Sequence, residues 1–265
     1  MLSAVIPILN EAPSLENVLK NLQQIPSLSY VNFVLNGCHD ESLEIITKAK
    51  VSFQKNIIQY PNKLGVDIPR AIGAYYALRQ SVKGVLFLDG DIGDDIHQNL
   101  KRLAYAVLFE HTDIALTNCY PHPAKRFPQA EEVLKARADL NRTLGLFHDL
   151  GLASPSHGPL CASKAIIQKC GLTSLAIPPL FLAKACQNKG KIKVAAVLEG
   201  KLWYGSPRTD EHNKLISETI IGDCKAAENF YLYQSLDREG HLGYHPYRDF
   251  AALQKLMGKD MLADF

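Results

Sequence analysis

Apolar residues in the first half of the chain alternate between short continuous runs and spaced stripes. The continuous runs predict β-strands over 3–9, 30–35, 56–60, 84–88 and 113–118. Between the runs, apolar residues recur three and four positions apart, as at Leu15, Val18 and Leu22, which is the spacing of one helical face. A strand followed by a helix is therefore predicted four times in succession.

Polar residues stand where the helices of these units should begin. Ser14 and Asp40 precede two of the stripes as caps, and Asp67 precedes a third that has Pro69 in its first turn. The run 84–88 is apolar throughout, which predicts a strand that is covered on both faces. Four successive strand–helix units predict an α/β fold with a parallel sheet and right-handed crossovers.

The second half of the chain has a less regular pattern. Helices are predicted near 129–147, 180–189 and 212–235, with a short helix that starts at Ser163 and a late strand over 191–200. The segment LGLASPSHGPL before Ser163 is interpreted as a loop. We find no internal repeat and no low-complexity linker in the sequence.

Composition limits the class of protein but does not indicate which reaction it catalyses. The 265 residues are 47% hydrophobic, and 29 Lys and Arg against 27 Asp and Glu give a formal net charge of +2. This balance does not favour binding to nucleic acid or membranes, and no stretch approaches the ~20 apolar residues of a membrane span. The first residues, MLSAVIPILNE, contain an early acid and no basic leader, so we expect a cytoplasmic protein. The six scattered cysteines form no CxxC pair and are expected to be buried apolar residues.

Polar residues follow three of the predicted strands at the point where each strand ends. Asn10 and Glu11 follow the first strand, Asn36 and Gly37 follow the second, and the sequence Asp-Gly-Asp at 89–91 follows the fourth. Ligands of open α/β sheets bind at the carboxyl ends of the strands. We therefore expect these residues to meet along one edge of the sheet.

The carboxylates of Asp89 and Asp91 are two positions apart, with a glycine between them. This arrangement suits Mg²⁺ or Mn²⁺ bridged to a diphosphate, because these ions need few protein carboxylates and also bind phosphate oxygens and water. The alternative is an acidic, solvated turn. We prefer that alternative for Asp94 and Asp95, which stand just before a predicted helix where carboxylates favour the helix dipole.

At these spacings, PxxNE, NGCHD and LDGD resemble the family 2 type glycosyltransferases of the GT-A fold. The resemblance covers residues 1–120 well and the rest loosely, and the layout with GPL at 158–160 is loosely similar to glucosyl- and mannosyl-3-phosphoglycerate synthases. It implies a Rossmann-like, mostly parallel sheet flanked by helices. The implied domains are a catalytic domain over 1–210, divided into a nucleotide-binding half (1–120) and an acceptor half (121–210), and a helical C-terminal extension over 211–265.

The resemblance also implies a reaction and its site residues. A sugar would move from a UDP- or GDP-linked donor to a small or polar acceptor, with Mg²⁺ or Mn²⁺ as cofactor. Residues implied to bind the nucleotide-sugar are Pro7, Asn10, Glu11, Asn36, Gly37, Lys63, Gly65, Asp89 and Gly90. Residues implied for catalysis are Asp91 and Arg70, and those for the acceptor are His157, Gly158, Pro159 and Leu160. The implied metal ligands are Asp91, Asp89 and His212.

Two departures from the family pattern bear on mechanism. Leu35 stands where the family often has an Asp that reads the base, so the base preference stays open. The segment AIPPLFLAK has no acid where inverting members carry their catalytic base. Retention of the anomeric configuration, a base elsewhere such as His157, or lost activity would each explain this absence.

Several residues and functions keep two interpretations. His241 and His245 could fold over the site or be structural, and Trp203 and Tyr204 could stack on a sugar or anchor a core. A nucleotidyltransferase is the second function considered, but ILNEAPS after the first strand contains an acid and no Lys or Arg to hold a triphosphate. A catalytically silent binding protein of this fold is the third. A homodimer stays open.

Overall fold

The computed structural model describes residues 1–121, 128–198 and 209–258. Its strands are β1 (Leu2–Ile8), β2 (Leu28–Asn36), β3 (Gln54–Tyr60), β4 (Gly84–Phe87), β5 (Ile114–Asn118), β6 (Leu160–Ser163) and β7 (Ile192–Val197). They form one sheet in the order β3-β2-β1-β4-β6-β5-β7. The helices of the described residues are α1 (Ala12–Gln23), α2 (Ser42–Lys48), α3 (Ile68–Leu78), α4 (His97–Phe109), α5 (Pro128–Thr143), α6 (Phe147–Leu150), α7 (Lys164–Cys170), α8 (Pro178–Gln187), α9 (Asp210–Tyr233) and α10 (Phe250–Met257).

The sheet is mostly parallel, which confirms the expected α/β architecture. Strands β1 to β4 run parallel to one another, and β5 is parallel to β7. Strand β6 is antiparallel to both β4 and β5, and it was not predicted: it begins at Leu160, the last residue of the segment interpreted as a loop, and ends at Ser163. At four residues, β6 is too short to show a period of its own. The side chain of Ser163 caps α7 as expected, by accepting a bond from the Ile166 amide at 3.1 Å.

Each face of the sheet is covered by helices and has its own apolar core. On one face, buried residues of α1 and α4 such as Leu15 and Leu100 pack with Phe33 of β2. On the other face, α3 and α8 contribute residues such as Ile72 and Phe181. Both faces of β4 are therefore buried, as its continuous apolar sequence indicates.

The chain after α8 packs against the same sheet. Helix α9 places Ile221, Cys224 and Ala227 in the core that contains Phe181, and α10 buries Leu253 in it. Residues 234–249, which connect α9 to α10, are called the C-terminal strap below. In the described residues, no helix has the length and apolar character needed to cross a bilayer. All six cysteines are free thiols, four of them buried and two half-buried.

Candidate functional site

Strand β1 lies between β2 and β4, so the polar residues after these three strands share one edge of the sheet. Ile8 at the end of β1 is paired with Leu35 of β2, and Val5 is paired with Phe87 at the end of β4. All of these pairs are parallel. The chain therefore leaves all three strands on the same side, as expected from the sequence.

The turns after β1 and β2 are bonded to each other. Asn10 adopts a left-handed conformation with φ of 59°, and its side-chain oxygen accepts a bond from the His39 amide at 2.8 Å. In the same way, Asp40 accepts a bond from the Ala12 amide at 2.9 Å, and Ser42 Oγ accepts one from the Glu11 amide at 3.1 Å. Backbone donors of each turn are thus satisfied by side chains of the other, which leaves the half-buried Glu11 on a braced turn.

Asn36 supports the loop that carries Lys63 and Gly65. Its side-chain oxygen accepts a bond from the Leu64 amide at 2.6 Å, and Asn36 itself is only 7% exposed. The Gly37 amide donates to the carbonyl of Tyr60 at 3.0 Å. Lys63 is exposed on this loop. The contact between Asn36 and the loop explains why an amide side chain is needed at the end of β2, and the sequence alone does not reveal it.

The Asp-Gly-Asp turn lies against the ends of β1 and α1. The Gly90 amide donates to the carbonyl of Pro7 at 3.2 Å, and a Cβ on Gly90 would lie 2.9 Å from that oxygen. Ser14 donates its hydroxyl to the Gly90 carbonyl at 2.6 Å. Helix α1 begins at Ala12, so Ser14 is in its first turn and is not the cap expected from the sequence. This contact makes Ser14 part of the support of the acidic turn.

Arg70 joins the acidic turn to the loop before β6. Its Nη2 donates to Asp89 Oδ1 at 3.0 Å and its Nη1 donates to the carbonyl of Pro155 at 2.9 Å. Arg70 is 6% exposed. Burial lowers the pKa of its guanidinium, but the charges of Asp89 and Asp67 outweigh this and raise the pKa above its usual value. Arg70 is therefore a fixed cation beside the acidic turn.

The loop before β6 has a second buried arginine on its other side. Arg137 of α5 is 1% exposed and donates to the Tyr120 hydroxyl at 3.2 Å and to Ser156 Oγ at 3.3 Å. Its Nε has no hydrogen-bond partner, and no described carboxylate lies within ion-pair distance of it. Among the described residues, the hydrogen bonds of Arg137 go to neutral hydroxyl groups, so its charge contributes a positive potential at this loop.

His157 stacks on the ring of Tyr120, with 5.2 Å between the ring centroids. Burial, with a smaller contribution from the charge of Arg137, lowers its pKa to about 3. Gly158 and Pro159 are buried beside it, and the Pro159 carbonyl accepts a bond from Thr117 Oγ1 at 2.6 Å. Leu160 lies in β6 opposite Phe87 and is 2% exposed, so its side chain belongs to the core and is not available to an acceptor.

His212 lies in the first turn of α9, where its amide donates to the capping hydroxyl of Thr209 at 3.2 Å. Its Nδ1 is 2.8 Å from the Tyr244 hydroxyl of the strap. In the three described ranges, no group of three His, Cys, Asp or Glu side chains is placed to hold a metal ion. His212 contacts the strap through Tyr244, and its assignment as a metal ligand with Asp89 and Asp91 stays a prediction.

The structure shows the contacts of some of the other residues that kept two interpretations. His241 lies 2.8 Å from Glu218 of α9, and His245 lies 3.3 Å from Arg248, so both contact groups of α9 or the strap. Trp203 and Tyr204 lie outside the described residues. Residues 178–183, in the segment without an acid, are all buried in α8. No side chain of that stretch can take the place of the missing base.

Comparison with known proteins supports this architecture. No protein-family model and no curated protein matches the chain. The crystal structure of glucosyl-3-phosphoglycerate synthase from Mycobacterium tuberculosis with Mn²⁺, UDP and phosphoglyceric acid has a TM-score of 0.64 and 16% identity, over 86% of this chain and 78% of that chain. The complex of the same enzyme with Mn²⁺, UDP-glucose and phosphoglyceric acid has a TM-score of 0.62 and 15% identity, over 86% and 80% of the two chains. The chain therefore has the mostly parallel, GT-A type fold of these glycosyltransferases, as the sequence motifs indicated.

Proposed function

We propose that the protein is a metal-dependent glycosyltransferase that moves a sugar from a nucleoside diphosphate to a small polar acceptor. The observation that carries this proposal is the position of Asp89, Gly90 and Asp91 at the end of β4, with buried Arg70 bonded to Asp89. The turns that contain Glu11 and Asn36 lie on the same edge of the sheet. This edge is where open α/β sheets bind their ligands.

The chemistry of the acidic turn fits Mg²⁺ or Mn²⁺. The side chain of Asp89 is 40% exposed, and only its Oδ1 accepts a hydrogen bond from a described residue. A second carboxylate follows two residues later, and carboxylate oxygens are the donors that these hard cations prefer. When bound, the ion would supply positive charge to the diphosphate as it leaves. Arg70 adds a second positive charge that needs no reorganisation, because it is already fixed beside Asp89.

The proposed donor is UDP-glucose and the proposed acceptor is a small phosphorylated acid. Both come from the similar structures, whose bound ligands include UDP-glucose with phosphoglyceric acid and UDP-glucose with glycerol 3-phosphate. The positive potential of buried Arg137 beside Ser156 and His157 supports an anionic acceptor. Leu35 is 3% exposed, so the end of β2 has no carboxylate at the position where the family often reads the base. We therefore include GDP in the test of the donor.

Retention of the anomeric configuration is the proposed stereochemical course. An inverting displacement needs a positioned base, and residues 178–183 of α8, in the segment where relatives place one, are all buried and apolar. His157 is a poor substitute because its pKa of about 3 makes the imidazole a weak base near neutral pH. A front-side displacement can pass the acceptor proton to the leaving phosphate, so it does not require a protein base.

The decisive experiment is calorimetric titration of the protein with UDP and with GDP, each with and without Mn²⁺. We expect binding of one nucleotide that depends on the metal. Asp91→Ala should weaken this binding by more than the ~10–100-fold loss that is typical when a residue only orients a metal ligand. Asp94→Ala is the matched control, since it removes a carboxylate three residues away that we assign to the turn before α4.

Three results would contradict the proposal. Metal-dependent affinity of Asp91→Ala equal to that of the unmodified protein would exclude Asp91 as a ligand. Binding of a nucleoside triphosphate, but of no diphosphate or nucleotide-sugar, would favour the nucleotidyltransferase instead. Metal-dependent binding without any turnover of a UDP- or GDP-sugar would identify a catalytically silent binding protein.

A further inference from the structure

A chain of alternating charges, buried except at the half-exposed Asp89, connects the C-terminal strap to the acidic turn. It contains three arginines and three aspartates, so its formal charges cancel. Its members, in spatial order, are Arg238, Asp223, Arg248, Asp67, Arg70 and Asp89. We call it the ion chain. One end is part of the proposed metal site, and the other end is formed by residues that follow α8 in the sequence.

The C-terminal end of the ion chain is tightly bonded. Asp223 of α9 accepts bonds from Arg238 Nη1 at 2.5 Å and from Arg248 Nη1 and Nη2 at 2.8 and 2.7 Å. Asp223 is 2% exposed, Arg238 is 7% exposed and Arg248 is 5% exposed. Charge-assisted, forked bonds between buried groups fix geometry as well as neutralise charge. Asp223 therefore anchors Arg248 in one position.

In the middle of the ion chain, the carboxylates of Asp67 and Asp89 both face the guanidinium of Arg70. Arg248 Nη2 donates to Asp67 Oδ2 at 3.1 Å, and Arg248 Nε donates to the Val66 carbonyl at 3.1 Å. The other oxygen of Asp67 lies 4.0 Å from Arg70 Nη1, whereas Asp89 Oδ1 lies 3.0 Å from Arg70 Nη2. Arg70 thus stands between two carboxylates and is bonded to only one of them.

We propose that Arg248 is a positioning residue for the metal and diphosphate site, and that it acts through Asp67 and Arg70. While Arg248 neutralises Asp67, the guanidinium of Arg70 stays on Asp89 and holds the acidic turn. Without Arg248, the buried charge of Asp67 is unbalanced and attracts Arg70 away from Asp89. This inference rests on the proposed function for its effect on ligand binding, but the coupling itself exists in the protein alone.

The binding test compares three variants by calorimetry with Mn²⁺ and UDP at pH 8, which favours the charged form of Asp67. Arg248→Met should weaken binding by about 10–100-fold, the range found when a residue orients a metal ligand without touching the metal. Adding Asp67→Asn should restore affinity to within about threefold, because it removes the charge that competes for Arg70. Asn tolerates the left-handed φ of 64° at this position. Arg142→Met, which removes an exposed arginine paired with Asp139, is the control and should change nothing.

Recovery of affinity on adding Asp67→Asn distinguishes a positioning role of Arg248 from simple support of the fold. If Arg248 only packed the strap, Asp67→Asn would not recover the lost affinity, and this result would overturn the proposal. If Arg248→Met does not fold, Arg248→Lys replaces it, since one ammonium group cannot reproduce the forked bonds to both aspartates. It should show a smaller loss in the same direction, with the same rescue.

A second measurement needs no ligand. Urea unfolding of Arg248→Met, Asp89→Asn and the double variant forms a cycle between residues that are not in contact. Effects of independent sites multiply to within about twofold in the unfolding constant. The effect of Asp89→Asn on the unfolding constant should be at least threefold smaller in Arg248→Met than in the unmodified protein, because Arg70 has then left Asp89. If Arg248→Met and Asp89→Asn had independent effects on the unfolding constant, the proposed coupling through the ion chain would be refuted. If no nucleotide binds the unmodified protein, the proposed function fails and this cycle alone decides the inference.

Discussion

Gly65, in the loop after β3, lies against the C-terminal strap, and its replacement by alanine gives a quantitative test of their packing. Its φ is +87°, and an added Cβ would lie 2.4 Å from the Tyr247 carbonyl oxygen and 2.9 Å from the Arg248 Cα. Both of these atoms are backbone, so no side chain can rotate away. Gly240 has nearly the same φ, +83°, but an added Cβ there would have no neighbour within 4 Å.

The two glycines separate the cost of backbone strain from the cost of the contact. Alanine in the left-handed region costs about 1–2 kcal/mol at either position. Forcing an extra methyl group into packed structure costs about 1–3 kcal/mol more, and this applies only to Gly65. The strap would also move away from the bonds between the Asp249 amide and the Leu64 carbonyl, 2.8 Å, and between Arg248 Nε and the Val66 carbonyl, 3.1 Å. Gly65→Ala should therefore be less stable than Gly240→Ala by about 2 kcal/mol.

Urea denaturation of the two variants, followed by circular dichroism, measures this difference directly. In thermal melts it corresponds to a midpoint about 4–8 °C lower for Gly65→Ala than for Gly240→Ala. Equal free energies of unfolding would refute the reasoning, because they would mean that the strap does not rest on Gly65. A large loss in both variants would instead assign the whole effect to backbone strain.

Two further predictions concern the reaction and the response to pH. Proton NMR of the first product formed from an α-linked UDP-sugar should show an α-linkage, and a β-linked product would show inversion and require a base that we have not identified. Because burial holds the pKa of His157 at about 3, below its ordinary 6.5, the unfolded chain binds the proton first as the pH falls, so stability is lost below about pH 6.5. In urea unfolding at pH 7 and pH 5, His157→Gln should reduce this loss by about 2 kcal/mol, and an unchanged loss would contradict the burial of this imidazole.

The sequence was sufficient to predict the regular half of the fold. Strands β1 to β5 were predicted within two residues of their bounds, since each is an apolar run followed by a helical stripe. Strand β6 was missed because its four residues, Leu160–Ser163, run directly into a capped helix. An antiparallel strand of this length is selected by its neighbours β4 and β5, whose edges it fills, and not by its own pattern.

Placement of the site at one sheet edge was also predictable, because strand ends converge wherever a sheet is parallel. This rule locates Glu11, Asn36 and Asp89 from their positions after apolar runs. It does not show what each side chain touches. Asn36 was expected to bind the nucleotide-sugar, which stays a prediction, and the sequence did not reveal its bond to the Leu64 amide, a contact that depends on how the loop after β3 folds back.

The acidic end of the site depends on residues that no local motif could reveal. Asp67 was predicted as a helix start, but its side chain makes no cap bond and instead meets Arg248, 181 residues later in the chain. An N-cap satisfies one backbone amide at the surface, whereas the contact with Arg248 neutralises a buried carboxylate. Leaving that charge unpaired would cost more free energy than leaving the amide uncapped. The same requirement explains why Arg248 is bonded to Asp223 as well, because each buried charge needs a partner of opposite sign. A change at any member is therefore expected to redistribute bonds along the whole ion chain, as far as the turn that we propose holds the metal.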